Sequence, residues 1–198
     1  VDLAETTRVV EFNDLEAMEK ALAHGDVAAV LMEPAMTNIG IVLPEKGYLE
    51  GVGALAKKYG AVWIIDETHT ISVGPGGMTK KYKLKPDMLT IGKAIAGGLP
   101  TGTFGMTKAI ADQIAAKVKR EIVDTGGIGS TLAGNALSAA AMRVTLKSVL
   151  NEKNFKKMIA LGTRWSDGVD AAIKEFGLPW HCNRLGARGE YLFASKAP

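Results

Sequence analysis

The stretch that decides the fold runs from position 61 to position 70 and has the sequence Ala-Val-Trp-Ile-Ile-Asp-Glu-Thr-His-Thr. Its first half is apolar and rich in β-branched residues, which is typical of a strand buried on both faces of a parallel sheet. The apolar run ends on Asp66, and a carboxylate in that position needs a cationic or hydrogen-bonding partner. We therefore predict a buried strand over residues 61–65 that delivers Asp66 to a site at its carboxyl end.

Further strands and helices are predicted on either side of this stretch. Apolar runs predict strands over residues 27–32 (covered on both faces), 88–91 and 101–106. Helical spacing of apolar residues predicts helices over 14–24, 48–59, 108–117, 133–150 and 151–176, the last broken near Gly162 and Gly168. Residues 73–79 and 126–129 are predicted loops. Strands that alternate with helices predict an α/β fold with a mostly parallel sheet flanked by helices.

Ionisable residues follow three of these strands directly. They are Glu33, Asp66 and Lys93. In open α/β sheets, ligands bind beyond the carboxyl ends of the strands. A single polar residue there is as often a solvated loop residue, but three of them favour a shared cleft.

Lys93 has the most suggestive surroundings of the three. It follows an apolar strand and lies among Gly92, Gly97 and Gly98, which let backbone or cofactor approach closely. Burial there would disfavour the ammonium form and supply the free amine that attacks a carbonyl to form a Schiff base. Taken alone, such a lysine is more often structural or a phosphate contact.

Asp66 fits the same chemistry. A protonated pyridine nitrogen would be a suitable partner for its carboxylate, and a pyridinium ring is an electron sink that stabilises a neighbouring carbanion. A helix cap or a metal ligand is the alternative. A metal is less favoured because no His, Cys or Asp cluster with ligand spacing accompanies Asp66.

Composition excludes several other classes of protein. The 198 residues are 47% hydrophobic and carry a formal net charge of +3, which is too mild to indicate a nucleic-acid partner. No apolar stretch is long enough to span a bilayer, so no membrane is expected. Cys182 is the only cysteine, which excludes an intrachain disulfide. No secretory leader is visible at Val1, so we expect a cytoplasmic protein, although both ends suggest a fragment.

Short motifs in a fixed order make the sequence specific. They are Glu33-Pro34, Gly47-Tyr48-Leu49, Asp66-Glu67-Thr68-His69-Thr70, Lys85-Pro86-Asp87, Gly92-Lys93 with Gly97-Gly98-Leu99-Pro100, and Ser130-Thr131 with Gly134-Asn135. Any one of them is weak evidence. Together, from about residue 27 to 142, they resemble the class III aminotransferases, which are pyridoxal-phosphate (PLP) enzymes of fold type I.

The resemblance implies roles around the PLP ring. Lys93 is implied to hold the cofactor as a Schiff base and to act as acid and base, and Asp66 to pair with the ring nitrogen. Thr68 stands where the family usually has Val against the ring face. His69 stands where Gln often lies near the phenolic oxygen.

The resemblance also implies contacts to the phosphate and the substrate. Ser130 and Thr131 are implied to contact the phosphate of the neighbouring subunit's cofactor, which predicts a homodimer with shared active sites; capping of the helix predicted from residue 133 is the alternative. Glu33 is expected to orient hydrogen bonds at the site. Arg188 could hold a substrate carboxylate, or form a surface ion pair.

We therefore predict that residues 1–150 are part of the PLP-binding large domain, and that 151–198 are a linking helix and the start of a small C-terminal α/β domain. The predicted function is transamination between an amine or amino acid and a keto acid. The alternatives are a glutamate-1-semialdehyde 2,1-aminomutase-like isomerase and, from another class, a non-catalytic nucleotide-binding α/β domain. The family's phosphate loop and stacking aromatic are expected upstream, so this span alone is expected to be inactive.

Overall fold

A computed structural model describes residues 2–117 and 132–195. Within those residues, four strands form one sheet in the order β1-β2-β3-β4. They are β1 (Ala29–Met32), β2 (Val62–Asp66), β3 (Met88–Gly92) and β4 (Gly102–Met106). Each begins and ends within two residues of its predicted position.

The first three strands are parallel, and β4 runs antiparallel to β3. The direction of β4 follows from the short connection before it. A parallel crossover needs about a dozen or more residues, and the segment 93–101 is too short for one. The register pairs Asp66 with Thr90, so the carboxyl ends of β2 and β3 lie side by side.

The helices of the described residues occupy most of the predicted positions. They are α1 (Leu3–Thr6), α2 (Leu15–Leu22), α3 (Tyr48–Tyr59), α4 (Gly77–Lys81), α5 (Lys108–Lys117), α6 (Ala136–Val144) and α7 (Glu152–Glu175). Asp14 caps α2, since its carboxylate accepts a hydrogen bond from Ala17 N. Gly60 ends α3 in the left-handed conformation, with a φ of 71°.

The hydrophobic core lies between one face of the sheet and helices α2 and α3. Val30, Trp63 and Ile65 point into it from β1 and β2. The prediction that β1 is covered on both faces is wrong for this chain. Leu31, on the opposite face, is 67% exposed, because the core helices pack only on the side of Val30.

Helix α7 is continuous, and the predicted breaks near Gly162 and Gly168 are wrong. Gly162 serves close packing instead. A Cβ at this position would lie 2.9 Å from the carbonyl oxygen of Ala187. That residue is in the turn of a hairpin formed by β5 (His181–Leu185) and β6 (Arg188–Leu192).

The helix predicted over residues 133–150 is shorter and less regular than expected. Helix α6 covers its centre, and a π-helical turn over Thr145–Val149 follows it. The cap of α6 is Asn135, whose side chain accepts from Ser138 N at 2.9 Å. The predicted loop over 126–129 lies outside the described residues.

Part of the predicted loop 73–79 is helical because Glu67 anchors it. Helix α4 begins at Gly77, and a 3₁₀ turn covers Thr70–Val73. The Glu67 side chain is 1% exposed and accepts hydrogen bonds from the backbone N–H groups of Met78 (3.1 Å) and Thr79 (2.6 Å). It also accepts from two hydroxyl groups, so this buried carboxylate is satisfied at the positive end of a short helix.

We expect Gly77→Ala to destabilise the protein more than Gly25→Ala. Both glycines have positive φ, 60° and 74°, so the backbone strain is matched. A Cβ at Gly77 would lie 2.0 Å from Glu67 Oε2, whereas a Cβ at Gly25 meets nothing within 4 Å. Displacing a hydrogen-bonded buried carboxylate costs roughly 1–3 kcal/mol beyond the control. Urea unfolding measures the difference, and equal free energies for both variants would contradict the assigned role of Glu67.

Candidate active site

The sheet brings the three predicted strand-end residues to one edge. Glu33 follows β1, Asp66 is the last residue of β2, and Lys93 follows β3. Because β1, β2 and β3 are parallel, their carboxyl ends face the same side of the sheet. The shared cleft that the sequence indicated is therefore possible with the observed topology.

The backbone turns sharply at Lys93. Its φ is 50°, a left-handed conformation that is uncommon for a residue with a side chain. It opens a 3₁₀ turn over Lys93–Ala96 that ends at Gly97. Strained residues of this kind concentrate at functional sites, so the conformation is consistent with a chemical role.

Lys93 is exposed in this chain, and the expectation of a buried amine is wrong. Its Nζ lies 2.8 Å from Nε2 of His69. The environment of the amine is therefore set by this contact and not by burial.

Asp66 is held by its own loop. Oδ1 accepts a hydrogen bond from Thr68 N at 2.8 Å, which fixes the orientation of the carboxylate. Oδ2 makes no hydrogen bond with any residue in the described ranges 2–117 and 132–195. One oxygen of a half-buried carboxylate is thus available to a ligand.

Thr68 connects the two strand ends. Its hydroxyl oxygen accepts a hydrogen bond from Gly92 N at 3.1 Å, directly beside Lys93. Gly92 is also closely packed, since a Cβ there would lie 3.3 Å from the carbonyl oxygen of Thr101. The hydrogen bond fixes the distance between the Asp66 and Lys93 segments.

Arg188 enters this region from β6. Its Nη1 lies 2.8 Å from His69 Nδ1, and its Nη2 donates to the carbonyl oxygen of Thr37 at 2.9 Å. Glu190 forms an ion pair with the same guanidinium group. Thr37 and Glu190 were not indicated by the sequence, because only the approach of the hairpin to the strand ends gives them this position.

Glu33 is tied into its own loop. Its carboxylate accepts hydrogen bonds from the hydroxyl group of Thr37 and, at 3.4 Å, from the amide of Asn38. The same Thr37 binds Arg188 through its carbonyl oxygen. Glu33 is therefore connected to the His69 region through one buried residue. Ser130 and Thr131 lie outside the described residues.

His69 has charged groups on several sides, and they act on its protonation in opposite directions. The pKa of His69 lies below its ordinary value, first because burial desolvates the ring and then because the cations of Arg188 and Lys93 oppose a further positive charge. The carboxylates of Glu33 and Asp66 act in the opposite direction. The net effect favours the neutral imidazole over the imidazolium form.

The geometry agrees with the comparison of the sequence with known families. The model of the class III aminotransferases ("Aminotransferase class-III") matches residues 2–176. The chain belongs to the class III aminotransferases. The predicted family resemblance is thereby confirmed.

Relatives of known structure agree over the whole chain. A lysine-to-alanine variant of a glutamate-1-semialdehyde-aminomutase from Pseudomonas aeruginosa PAO1, in complex with PMP, is 48% identical, with a TM-score of 0.93 over 100% of this chain. A β-phenylalanine aminotransferase from Variovorax paradoxus is 21% identical and has a TM-score of 0.83 over 96% of the chain, which shows the fold alone. The predicted fold type I α/β architecture is confirmed.

A curated relative gives the same result at the level of sequence. The glutamate-1-semialdehyde 2,1-aminomutase of Anaeromyxobacter dehalogenans (strain 2CP-C) is 37% identical over 98% of this chain. The chain spans 44% of the length of that protein, and 45% of the Pseudomonas and 43% of the Variovorax chain. The matched region contains the strand ends described above.

The cofactor of class III aminotransferases is pyridoxal 5'-phosphate, as the sequence predicted. Two features of the site are suited to binding this cofactor. Lys93 offers an accessible primary amine, and Asp66 offers an uncommitted carboxylate oxygen one strand away. Among the described residues, no group of three or more His, Cys, Asp or Glu is placed to hold a metal ion, and no helix has the length and apolar character needed to cross a membrane.

Proposed function

We propose that this chain carries the catalytic lysine of a PLP-dependent transaminase, which moves an amino group between an amine or amino acid and a keto acid. The observation that supports this most directly is the placement of Asp66 and Lys93 side by side at one edge of the sheet. They lie at the carboxyl ends of neighbouring parallel strands, joined by the hydrogen bond from Gly92 N to Thr68 Oγ1. When bound, the cofactor supplies an electron-withdrawing ring that stabilises a carbanion.

Lys93 has two roles in this proposal. Its amine would attach the cofactor covalently, and its Nζ would also move a proton at the reacting carbon of the substrate. The exposed position at the end of β3 gives Nζ the reach that both roles require. Its contact with His69 keeps the amine close to the Asp66 loop.

Asp66 would hold a proton at the ring nitrogen. Its Oδ1 accepts from Thr68 N, so Oδ2 is the oxygen that would pair with the ring nitrogen. A fixed anion stabilises the charge that develops during reaction without a reorganisation cost. Asp66 would therefore keep the ring nitrogen protonated, while Lys93 would attach the cofactor and move the proton.

The remaining predicted residues complete the site. His69 and Thr68 would contact the cofactor ring, and Ser130 and Thr131 would contact the phosphate of the cofactor bound by the neighbouring subunit of a homodimer. Arg188 holds a substrate carboxylate, for which its planar fork is suited. Its partners Glu190 and Thr37 would then fix the orientation of the guanidinium group. The small C-terminal domain is proposed to begin in residues 151–198.

A second function is supported by the printed names of the relatives. Both the Pseudomonas and the Anaeromyxobacter proteins are named glutamate-1-semialdehyde aminomutases. An aminomutase uses the same lysine and carboxylate, but it moves the amino group from one carbon to another within a single substrate molecule. Glutamate 1-semialdehyde is therefore the alternative substrate.

A mixed-substrate assay of the full-length protein distinguishes the two functions. With PLP, a transaminase releases product from an amine donor only when a keto acid such as pyruvate is added. An aminomutase converts glutamate 1-semialdehyde without a second carbonyl compound. Turnover that needs no acceptor would overturn transamination as the main function, and absence of both activities would overturn both functions.

We expect residues 1–198 expressed alone to have little or no transaminase activity. Catalysis requires the cofactor ring in a fixed orientation, and Lys93 and Asp66 supply only the covalent link and the electronic tuning. The test is to assay this span beside a longer form extended at both ends, each with PLP, an amine donor and pyruvate. Equal activity of the two forms would contradict the expectation.

A further inference from the structure

The turn of the β5–β6 hairpin is held by one residue of the loop after β2. The hydroxyl group of Ser72 donates a hydrogen bond to the carbonyl oxygen of Leu185 at 2.9 Å. The carbonyl oxygen of Ser72 accepts a hydrogen bond from Ala187 N at 3.0 Å. Ser72 therefore binds the chain on both sides of Gly186, and we name this arrangement the Ser72–Gly186 contact.

The approach of the turn to Ser72 requires glycine at position 186. The φ of Gly186 is 61°, in the left-handed region that favours glycine. A Cβ there would collide with the carbonyl oxygen of Ser72 and lie 2.5 Å from Cα of Val73. Both are backbone atoms, which cannot rotate away as the end of a flexible side chain can. Any larger residue at position 186 must therefore move the turn away from Ser72.

Arg188 is placed by the same contact. It is the first residue of β6 and pairs with Leu185 across the hairpin, beside the hydrogen bonds of Ser72. Leu185 is part of the hydrophobic core, so packing also fixes this end of the hairpin. The backbone that carries the Arg188 side chain thus has a defined position relative to the carboxyl ends of the strands.

The guanidinium group of Arg188 depends on that position. Its Nη1 lies 2.8 Å from Nδ1 of His69, and its Nη2 donates to the carbonyl oxygen of Thr37 at 2.9 Å. Both partners belong to loops at the strand ends and not to the hairpin. Hydrogen bonds need distances of about 2.7–3.2 Å, so a displacement of the hairpin by about 1 Å would break these contacts.

We propose that Ser72 and Gly186 position Arg188 for the carboxylate group of an amino-acid or keto-acid substrate. Both are positioning residues, because they act through Arg188. The proposal deepens the proposed function and rests on Arg188 as the group that binds a substrate carboxylate. It separates two classes of substrate, since an amine without a carboxylate does not depend on the Ser72–Gly186 contact.

A second anchor of the hairpin limits the expected effect. The side-chain amide of Asn183 on β5 donates to the carbonyl oxygen of Ile41 at 2.9 Å. Loss of the Ser72–Gly186 contact should therefore shift the turn without releasing the hairpin. The expected result is a folded protein that binds carboxylates more weakly.

Gly186→Ala tests the contact, and Gly177→Ala is its matched control. Gly177 has a φ of 59°, so the backbone strain is the same, but a Cβ at Gly177 meets nothing within 4 Å. Binding of propionate to the full-length protein freed of cofactor is measured by NMR titration, with propionamide as the uncharged reference. A hydrogen bond to a charged group contributes a factor of roughly 10–100 in affinity. We expect Gly186→Ala to weaken propionate binding by that factor and Gly177→Ala to leave it unchanged.

Ser72→Ala is a second variant that adds no side chain to the turn. It removes the hydroxyl group that donates to Leu185, while the bond from Ala187 N to the backbone of Ser72 remains. Loss of one neutral hydrogen bond should weaken propionate binding by about 2–10-fold. If Gly186→Ala does not fold, as judged by circular dichroism, the result with Ser72→Ala decides.

Kinetics distinguish positioning from a general loss of structure. Alanine and 2-aminopropane differ only in a carboxylate in place of a methyl group, and each is tested as the sole amine donor with the PLP-loaded full-length protein. Gly186→Ala should raise the alanine concentration needed for the half-maximal rate and leave the maximal rate unchanged, the pattern of a lost binding contact. Both values for 2-aminopropane should stay unchanged. Equal losses with the two donors would contradict the proposal.

The remaining outcomes separate this proposal from the proposed function. Equal propionate affinity of Gly186→Ala, Ser72→Ala and the Gly177→Ala control would overturn the proposal. Arg188→Met tests the arginine itself, and unchanged propionate affinity in this variant would refute its role in the proposed function and the positioning role with it. If borohydride traps the cofactor on Lys93 in every variant, the function assigned to Lys93 stands whichever result propionate gives.

Discussion

Lys93→Ala is expected to abolish covalent attachment of the cofactor and to reduce turnover by at least about 10²–10⁴-fold, the contribution of a positioned acid or base. The variant removes both the attacking amine and the group that moves the proton. No other lysine of the described residues follows a strand of the sheet directly at the edge beside Asp66. Borohydride reduction with peptide mapping should leave the pyridoxyl group on Lys93 in the unaltered protein and on no residue in the variant.

Lys108→Ala is the matched control for this prediction. Lys108 is on α5, has an exposed side chain and forms an ion pair with Asp112, an interaction worth little to stability. Its loss should leave both labelling and turnover unchanged. A pyridoxyl label on any other lysine, or a Lys93→Ala variant with the turnover of the control, would refute the assignment.

Asp66→Ala is expected to reduce turnover far more than it weakens attachment of the cofactor. An adjacent carboxylate raises the pKa of a basic nitrogen by roughly 1–3 units, or about 1.4–4 kcal/mol, so turnover should fall by about 10–10³-fold. Attachment depends on Lys93, which is one strand away and is unchanged. The visible absorbance of the bound cofactor and the turnover rate, measured on the same preparation, give the two quantities.

The variant Asp66→Asn distinguishes the effect of the negative charge from that of the hydrogen bond within the loop. The amide oxygen can still accept from Thr68 N, so the loop keeps its hydrogen bond while the negative charge is lost. We expect Asn to reduce turnover almost as much as Ala. If Asn restored turnover, or if Ala reduced attachment and turnover equally, Asp66 would have a structural role and not an electronic one.

Much of the fold could be predicted because its signals are local. The apolar run 61–65 with its terminal Asp66 predicted β2, and the segment ending at Gly92 predicted β3. Helix α3 begins and ends at its predicted residues, since Gly60 terminates it by adopting a conformation that other residues resist. These features depend on neighbouring residues in the chain and therefore appear in the sequence.

The misinterpreted elements have a common cause, which is packing with distant residues. The low helix propensity of Gly162 predicted a break in the helix. In the structure, the absence of a side chain at Gly162 allows Ala187 to pack closely against the helix. The segment after Gly76 indicated a loop, but the buried Glu67 stabilises a helix there. Two further points stay predictions. They are the chemical roles of Asp66, Lys93 and their neighbours, and the homodimer.

The sequence by itself determined the strand ends, and with them the placement of Glu33, Asp66 and Lys93 at one edge of a parallel sheet. This is possible because apolar runs and glycines act over a few residues, and parallel strands share an edge by topology. Only the tertiary structure decided the environment of the amine. Arg188 is separated from His69 by more than half the chain, and their 2.8 Å contact forms because the β5–β6 hairpin packs against the loop after β2. Hydrogen bonds act over about 3 Å, so no pattern of neighbouring residues could have predicted this contact.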